Sequence, residues 1–344
     1  MVIDNAHVSP VGEHSGEVFA GLGWPTRVEN SPRGLGWPVS RETGPQDGPS
    51  AAQRAKLDRS AEHSFGGQQG RPVLSGLPRP AATRVMVVAN QKGGVGKTTT
   101  AVNVAAALAL HGLRVLLIDL DPQGNASTAL SVPHQEGILS TYDVLTSSRL
   151  LADVVVPCEQ VPGLFVAPAT IDLAGAEIEL VPLPARESRL RTALSRLLAD
   201  VDESGRYDYV FIDCPPSLGL LTVNALTAAR ELLIPIQCEY YALEGLSQLL
   251  RTIEQVKGHL NPDLRVGAIV LTMFDGRTNL AAGVAAEVRQ HFPRQVLDSA
   301  VPRSVRISEA PSYGQTVLTY DPSSIGALTY RRVAAELAEQ EVAL

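Results

Sequence analysis

The stretch that most constrains this chain is Asn90-Gln91-Lys92-Gly93-Gly94-Val95-Gly96-Lys97-Thr98-Thr99-Thr100. An apolar run, Arg84–Ala89, leads into it, and a segment rich in Ala and Leu, Lys97–His111, leads out. Strand, glycine loop and helix in that order make a phosphate cradle. The glycines let successive backbone N–H groups turn inward toward phosphate oxygens, and the helix N-terminus adds partial positive charge. Lys97 is spaced to reach the β- and γ-phosphates, and the Thr98 hydroxyl to coordinate Mg²⁺. Gly93, Gly94, Val95, Gly96 and Thr99 complete the expected nucleotide contacts, and the expected cofactors are ATP and Mg²⁺. The loop departs from the ordinary pattern, whose first glycine would fall at position 91. Gln91 stands there, and a second lysine, Lys92, opens the loop.

Two further apolar runs end in carboxylates. Leu116-Leu117-Ile118-Asp119-Leu120-Asp121 delivers a pair of aspartates, and Tyr209-Val210-Phe211-Ile212-Asp213 a third, followed by Cys214-Pro215-Pro216. Strands of a doubly wound sheet present their carboxyl ends to the ligand crevice, so all three acids are expected beside the phosphate loop. There, one carboxylate can hold the water shell of Mg²⁺ and another orient the attacking water.

From Thr83 onward, short apolar runs alternate with helical periods. This pattern predicts an α/β fold: a doubly wound, mostly parallel sheet flanked by helices. Strands are expected at 84–89, 114–120, 164–167, 207–213, 231–236, 266–272 and 296–300. Helices are expected at 97–111, 187–199, 219–230, 243–259, 280–291 and 327–339. Residues 1–80 differ in kind. They are crowded with Gly, Pro, Ser and charge and sustain neither period, so a disordered tail is expected before a domain spanning 81–344. Within the tail, Gly-Leu-Gly-Trp-Pro occurs twice, at 21–25 and 34–38, and holds both tryptophans of the chain. It reads either as chance low complexity or as a short motif whose indole docks in a partner groove.

The net charge of −7 rules out binding to nucleic acid through overall basicity, so any such role needs a local patch. Three scattered cysteines, Cys158, Cys214 and Cys238, are too few for a disulfide framework and read as buried thiols. Residues 1–20 lack the basic and apolar regions of a secretory leader, and the longest apolar runs are of strand length. A cytoplasmic protein is expected.

The lysine-first glycine loop resembles the deviant Walker A motif shared by ParA, MinD and the nitrogenase iron protein. Asp121-Pro122-Gln123-Gly124-Asn125, Asp213-Cys214-Pro215-Pro216-Ser217, Glu239-Tyr240-Tyr241-Ala242-Leu243-Glu244-Gly245, Leu271-Thr272-Met273-Phe274-Asp275 and Pro302-Arg303-Ser304-Val305-Arg306 extend the likeness to ParA/Soj-type partition ATPases over about residues 83–338. The resemblance implies that Lys92 reaches across an ATP-sandwiched homodimer to the other subunit's phosphates. It gives Asp119 and Asp213 to the metal with Thr98, Asp121 to the attacking water, and places Pro302 near the base. It also implies double-stranded DNA bound without sequence preference, with Arg277, Arg303 and Arg306 as contacts, and hydrolysis stimulated by a ParB-type centromere-binding protein. Nucleoid association follows, and a polar or cytoskeletal partner would meet the tail. The palindromic run GTT-TCA-CGT-GAA-ACA, close to the site chromosomal ParB proteins read, encodes in one frame Val-Ser-Arg-Glu-Thr, the peptide at Val39–Thr43. The gene is therefore expected to carry a partition site there, with coincidence or a peptide motif as the alternative.

Other functions within this superfamily leave different marks. A membrane-cycling, MinD-like division-site regulator would end in a basic amphipathic helix, whereas this chain ends in the acidic run Glu336–Leu344, so no membrane partner is expected. An iron-protein relative would need cluster-bridging cysteines. Regulation of replication initiation is an alternative the sequence does not separate from partition.

Overall fold

The computed structural model describes residues 76–239 and 242–340. The chain divides into a unit at Met1–Gly70, wholly outside the described residues, and a unit at Arg71–Leu344. The duplicated pentapeptide and Val39–Thr43 therefore also lie outside them. Residues 76–80, assigned to the tail by composition, are described: Arg79 Nε donates to Asp208 Oδ1 at 3.0 Å, and Leu77 packs against the core.

Among the described residues, eight strands form one sheet. They are β1 (Arg84–Val88), β2 (Val115–Asp119), β3 (Val156–Pro157), β4 (Leu164–Ala167), β5 (Tyr209–Asp213), β6 (Glu231–Gln237), β7 (Arg265–Phe274) and β8 (Val296–Pro302). The sheet order is β3-β4-β2-β5-β1-β6-β7-β8, and only the short β3 runs antiparallel. The central strands are apolar at nearly every position because both faces are covered. Val85 and Val87 of β1 enter one core layer with Leu116 and Ile118 of β2. Met86 and Val88 enter the other, with Leu117, Tyr209 and Phe211.

The helix α1 (Lys97–Leu110) follows β1 and is buried on almost every side, as its Ala-rich sequence permits. The next four helices, α2 (Asn125–Ala129), α3 (Thr141–Thr146), α4 (Leu151–Val154) and α5 (Leu173–Glu179), are short. Longer ones follow at α6 (Arg189–Asp200), α7 (Leu220–Ala228), α8 (Ala242–His259) and α9 (Asn279–His291). After β8 come α10 (Val305–Glu309), a 3₁₀ turn at Ala310–Tyr313, α11 (Val317–Tyr320) and α12 (Ile325–Glu339), the last packed on α1 and β8.

Each expected strand and helix has a counterpart whose ends differ by at most two residues. Beyond the expectation are β3 and helices of four to seven residues, too short for an apolar period to reveal.

Candidate nucleotide site

The strand order brings the expected residues together. β1 lies between β5 and β6, and β2 lies beyond β5, so the chain crosses over β5 after its first strand. Such a switch opens a crevice at the carboxyl ends of the strands. Three runs end there: the phosphate loop after β1, Asp119 on β2 and Asp213 on β5. Asp119 pairs in register with Asp213, placing the two carboxylates on the same side of neighbouring strands.

Gly94 and Gly96 adopt φ of +75° and +87°, the left-handed backbone that turns the loop around an empty centre. Gly96 is also the N-cap of α1. No side chain caps that helix, and its first turn carries no acid, so its amide donors face the crevice. A cavity of about 470 Å³ opens there, lined by Gly94, Lys97, Thr98, Thr99 and Asp121 among others. Lys97 is buried, its Nζ donating to the Lys92 carbonyl at 3.2 Å. Burial lowers its pKa, against the pull of Asp213 and Asp121.

The three aspartates are held differently. Asp119 is fully buried and already committed: Oδ2 accepts from Ser127 N and Oγ at 2.9 and 2.8 Å, and Oδ1 from Asp121 N at 3.1 Å. Burial pushes its pKa up to about 6, with those bonds opposing. Asp121 lines the cavity, and its Oδ1 accepts from Gln123 N at 3.0 Å. Asp213 is fully buried, and neither oxygen has a partner in hydrogen-bonding geometry, although the Thr98 hydroxyl lies close enough to favour its charged form. Burial and then Asp119 push the Asp213 pKa well above the ordinary carboxylate range.

An orphaned buried carboxylate is costly unless something absent completes it. Three carboxylates face one buried ammonium, so the missing group is a cation. Among the described residues, no cluster of three or more His, Cys, Asp or Glu side chains could hold a metal by itself. Mg²⁺ suits such a site, because it keeps several waters and takes one or two protein ligands beside nucleotide phosphates. Thr98 and Asp213 fit as those ligands. Asp119, with both oxygens engaged, fits as an anchor for the switch segment and an acceptor for metal-bound water.

Lys92 lies at the loop's mouth, where its Nζ donates to Glu239 Oε2 at 2.8 Å. Its backbone N–H donates to Asn90 Oδ1 at 3.0 Å, and Asn90 in turn donates to the Pro235 carbonyl, tying the loop's start to β6. Thr272 on β7 donates to the Val95 carbonyl at 2.8 Å, tying the loop's middle to the far half of the sheet. Pro302 ends β8 beside Phe274 of β7 and does not line the cavity. Met273, Pro311 and Gln315 line it instead. Met273 takes φ +49°, which nothing in its local sequence announces. Pro311 had a legible signal, opening a tight turn that closes at Gly314 with φ +63°.

The three arginines expected at DNA stand away from the cavity, beyond the ends of β7 and β8. Each has a carboxylate within 4 Å. Arg277 is bidentate to Asp275 at 2.8 and 2.7 Å and holds that acid down to about 2. Arg306 meets Glu309 at 3.2 Å and Asp321 at 3.5 Å, and Arg303 meets Glu239 at 3.9 Å. Such exposed pairs, screened by solvent, contribute little and yield readily to a phosphate.

An AAA domain family model (AAA_31) matches residues 83–266, a span that contains the phosphate loop and all three aspartates. The chain is 52% identical over 258 residues to the chromosome partitioning protein ParA of Caulobacter vibrioides, covering 75% of this chain and 95% of that one. It is 51% identical over 255 residues to the sporulation initiation inhibitor protein Soj of Bacillus subtilis, covering 74% and 98%. Among solved structures, one titled cobyrinic acid a,c-diamide synthase from Mycobacterium smegmatis, with bound ATP analogue and magnesium, superposes with a TM-score of 0.62. It shares 40% identity and covers 74% of this chain and 93% of that one. Half-identity along nearly the whole length of the partition proteins, joined to a lysine-first phosphate loop and its three strand-end aspartates, places this chain in the ParA/Soj family of chromosome-partitioning ATPases.

Proposed function

We propose that this chain partitions DNA by an ATP-driven cycle of dimerisation, DNA binding and release. The observation that carries the reading is the orphaned Asp213 carboxylate, buried beside an anion-accepting helix N-terminus and the Lys97 ammonium. The loop amides and Lys97 bind the phosphates of ATP, and Thr98 with Asp213 holds Mg²⁺. The bound ion supplies charge neutralisation at the phosphates. Asp121, lining the cavity and steadied by Gln123 N, orients the attacking water. Asp119 fixes the switch segment through Ser127, so that Asp121 keeps its place.

Lys92 reaches the phosphates on a second copy, making the dimer dependent on ATP. Arg277, Arg303 and Arg306 then exchange their carboxylate partners for DNA phosphates. Exchange of that kind has no sequence preference, because phosphate contacts position without reading bases. A ParB-type protein on the centromere completes water positioning and triggers release, in the cytoplasm and on the nucleoid. Among the described residues, no helix is long and apolar enough to cross a membrane.

Two substitutions test the division of labour. Lys97→Ala should abolish binding of a fluorescent ATP analogue. Asp121→Ala should bind ATP, dimerise and stay on DNA while turnover falls at least about a hundredfold, the scale of a lost water-positioning group. Normal hydrolysis by Asp121→Ala would remove that aspartate from the chemistry.

A further inference from the structure

Glu239 lies outside the three nucleotide motifs and does not line the nucleotide cavity. It follows β6, 147 residues after Lys92 in the chain, and its carboxylate meets two donors and a second cation. Lys92 Nζ donates to Oε2 at 2.8 Å, and the Gln237 side-chain amide donates to Oε1. Arg303, arriving from the end of β8, stands 3.9 Å from Oε1. The carboxylate thus links the signature lysine of the phosphate loop to an arginine of the expected DNA surface.

The geometry has a consequence for charge. Lys92 cannot hold Glu239 on its own subunit and a phosphate on the other with the same short contacts. As it swings outward it leaves a carboxylate behind, and Arg303 is the cation placed to neutralise what remains. We propose that Glu239 is a positioning residue for Lys92: it retains the ammonium on its own subunit until ATP closes the dimer, and Arg303 takes over the carboxylate as Lys92 leaves, until DNA phosphate competes for the arginine. This rests on the reading of Lys92 as the group that crosses the dimer. Retention by Glu239 sets an ATP threshold for dimerisation, and Arg303 lowers that threshold. The pKa of Glu239 agrees with the arrangement, being held below its ordinary value by Lys92 first and by Arg303 also.

The test measures, without DNA, the concentration of a non-hydrolysable ATP analogue at which half the protein is dimeric by sedimentation. Glu239→Gln keeps the side chain's shape and removes its charge. It should lower the midpoint about two- to fivefold, the range of a partly exposed ion pair. Glu239→Asp, which keeps the charge, should stay nearer the wild type. Arg303→Ala should raise the midpoint by a similar factor, since Glu239 then has less to neutralise it once Lys92 departs. A midpoint unchanged or raised in Glu239→Gln, or unchanged or lowered in Arg303→Ala, overturns the proposal. ADP affinity reports whether each variant has folded around its phosphate loop. If Glu239→Gln fails that check, Arg303→Ala carries the test alone, because its side chain is 71% exposed and outside the core. Lys92→Ala separates the two levels: dimerisation at the wild-type midpoint would sink the crossing role of Lys92 itself. Loss of dimerisation there, with no shift in the other variants, would sink only the role of Glu239.

Discussion

Asp213 concentrates the conflict between stability and function in one side chain. Its carboxylate is fully buried next to Asp119 with no hydrogen-bond partner at either oxygen, so the nucleotide-free protein bears a cost that Mg²⁺, held there as proposed, would relieve. Replacing it with Asn removes the charge and keeps the shape. Asp213→Asn should therefore stabilise the nucleotide-free protein by about 1–3 kcal/mol, roughly 2–10 °C in Tm for a domain of this size, and lose the further stabilisation that Mg²⁺ with ATP confers. Thermal unfolding with and without Mg²⁺-ATP reads both effects; a lower Tm without nucleotide would mean that unseen partners already satisfy the carboxylate. The same acids give a pH dependence of definite sign. Asp119 is pushed up to about 6 when folded, so between about pH 4, its unfolded value, and pH 6 the native state binds the extra proton. The contribution of this pair to stability thus falls as pH rises through that window. Asp213→Asn, which removes the second carboxyl that burial raises, should flatten the fall in a urea series at pH 4.5 to 7.

The elements that carry the site were legible because their signals are local. β1, the glycine loop and α1 are contiguous, and β2 and β5 announce themselves as apolar runs closed by Asp119 and Asp213. Elements set by tertiary contact were not. Helix α3 is held by a capping box in which Ser140 accepts from the Tyr142 amide and Asp143 accepts from Ser140 N at 2.9 Å. That Ser-x-x-Asp signal was present, but six residues give no apolar period to support it. The pairing of Lys92 with Glu239, the turn at Met273 and the absence of Pro302 from the cavity depend on how distant strands meet, which no local pattern encodes. At the opposite end of the sheet, Arg84 of β1 joins Glu231 of β6 at 2.7 Å, both buried, and Arg84 also donates to the Leu337 carbonyl of α12. Glu231→Ala would remove the buried carboxylate that Arg84 meets, and should cost about 3–5 kcal/mol in a denaturant titration. A loss under about 1 kcal/mol would show that Arg84 finds water or another acid.

For the molecule as a whole, an acidic protein must present a basic face only when it is wanted. The chain carries a net charge of −7, and each arginine expected at DNA is matched to a carboxylate, so the single subunit offers DNA little net attraction. The proposed dimer would double the number of arginines on one assembly, and a long duplex would then exchange several weak carboxylate pairs at once, a cooperative gain. Binding of this origin displaces counterions and weakens steeply with salt. The central claim is that ATP, acting through the Lys97 and Asp213 site, controls that binding. The most direct measurement is retention of the purified chain on non-specific duplex DNA with ATP, ADP or no nucleotide across a salt series. The account predicts retention with ATP alone, falling steeply as salt rises. Equal retention in all three states, or none in any, would contradict it.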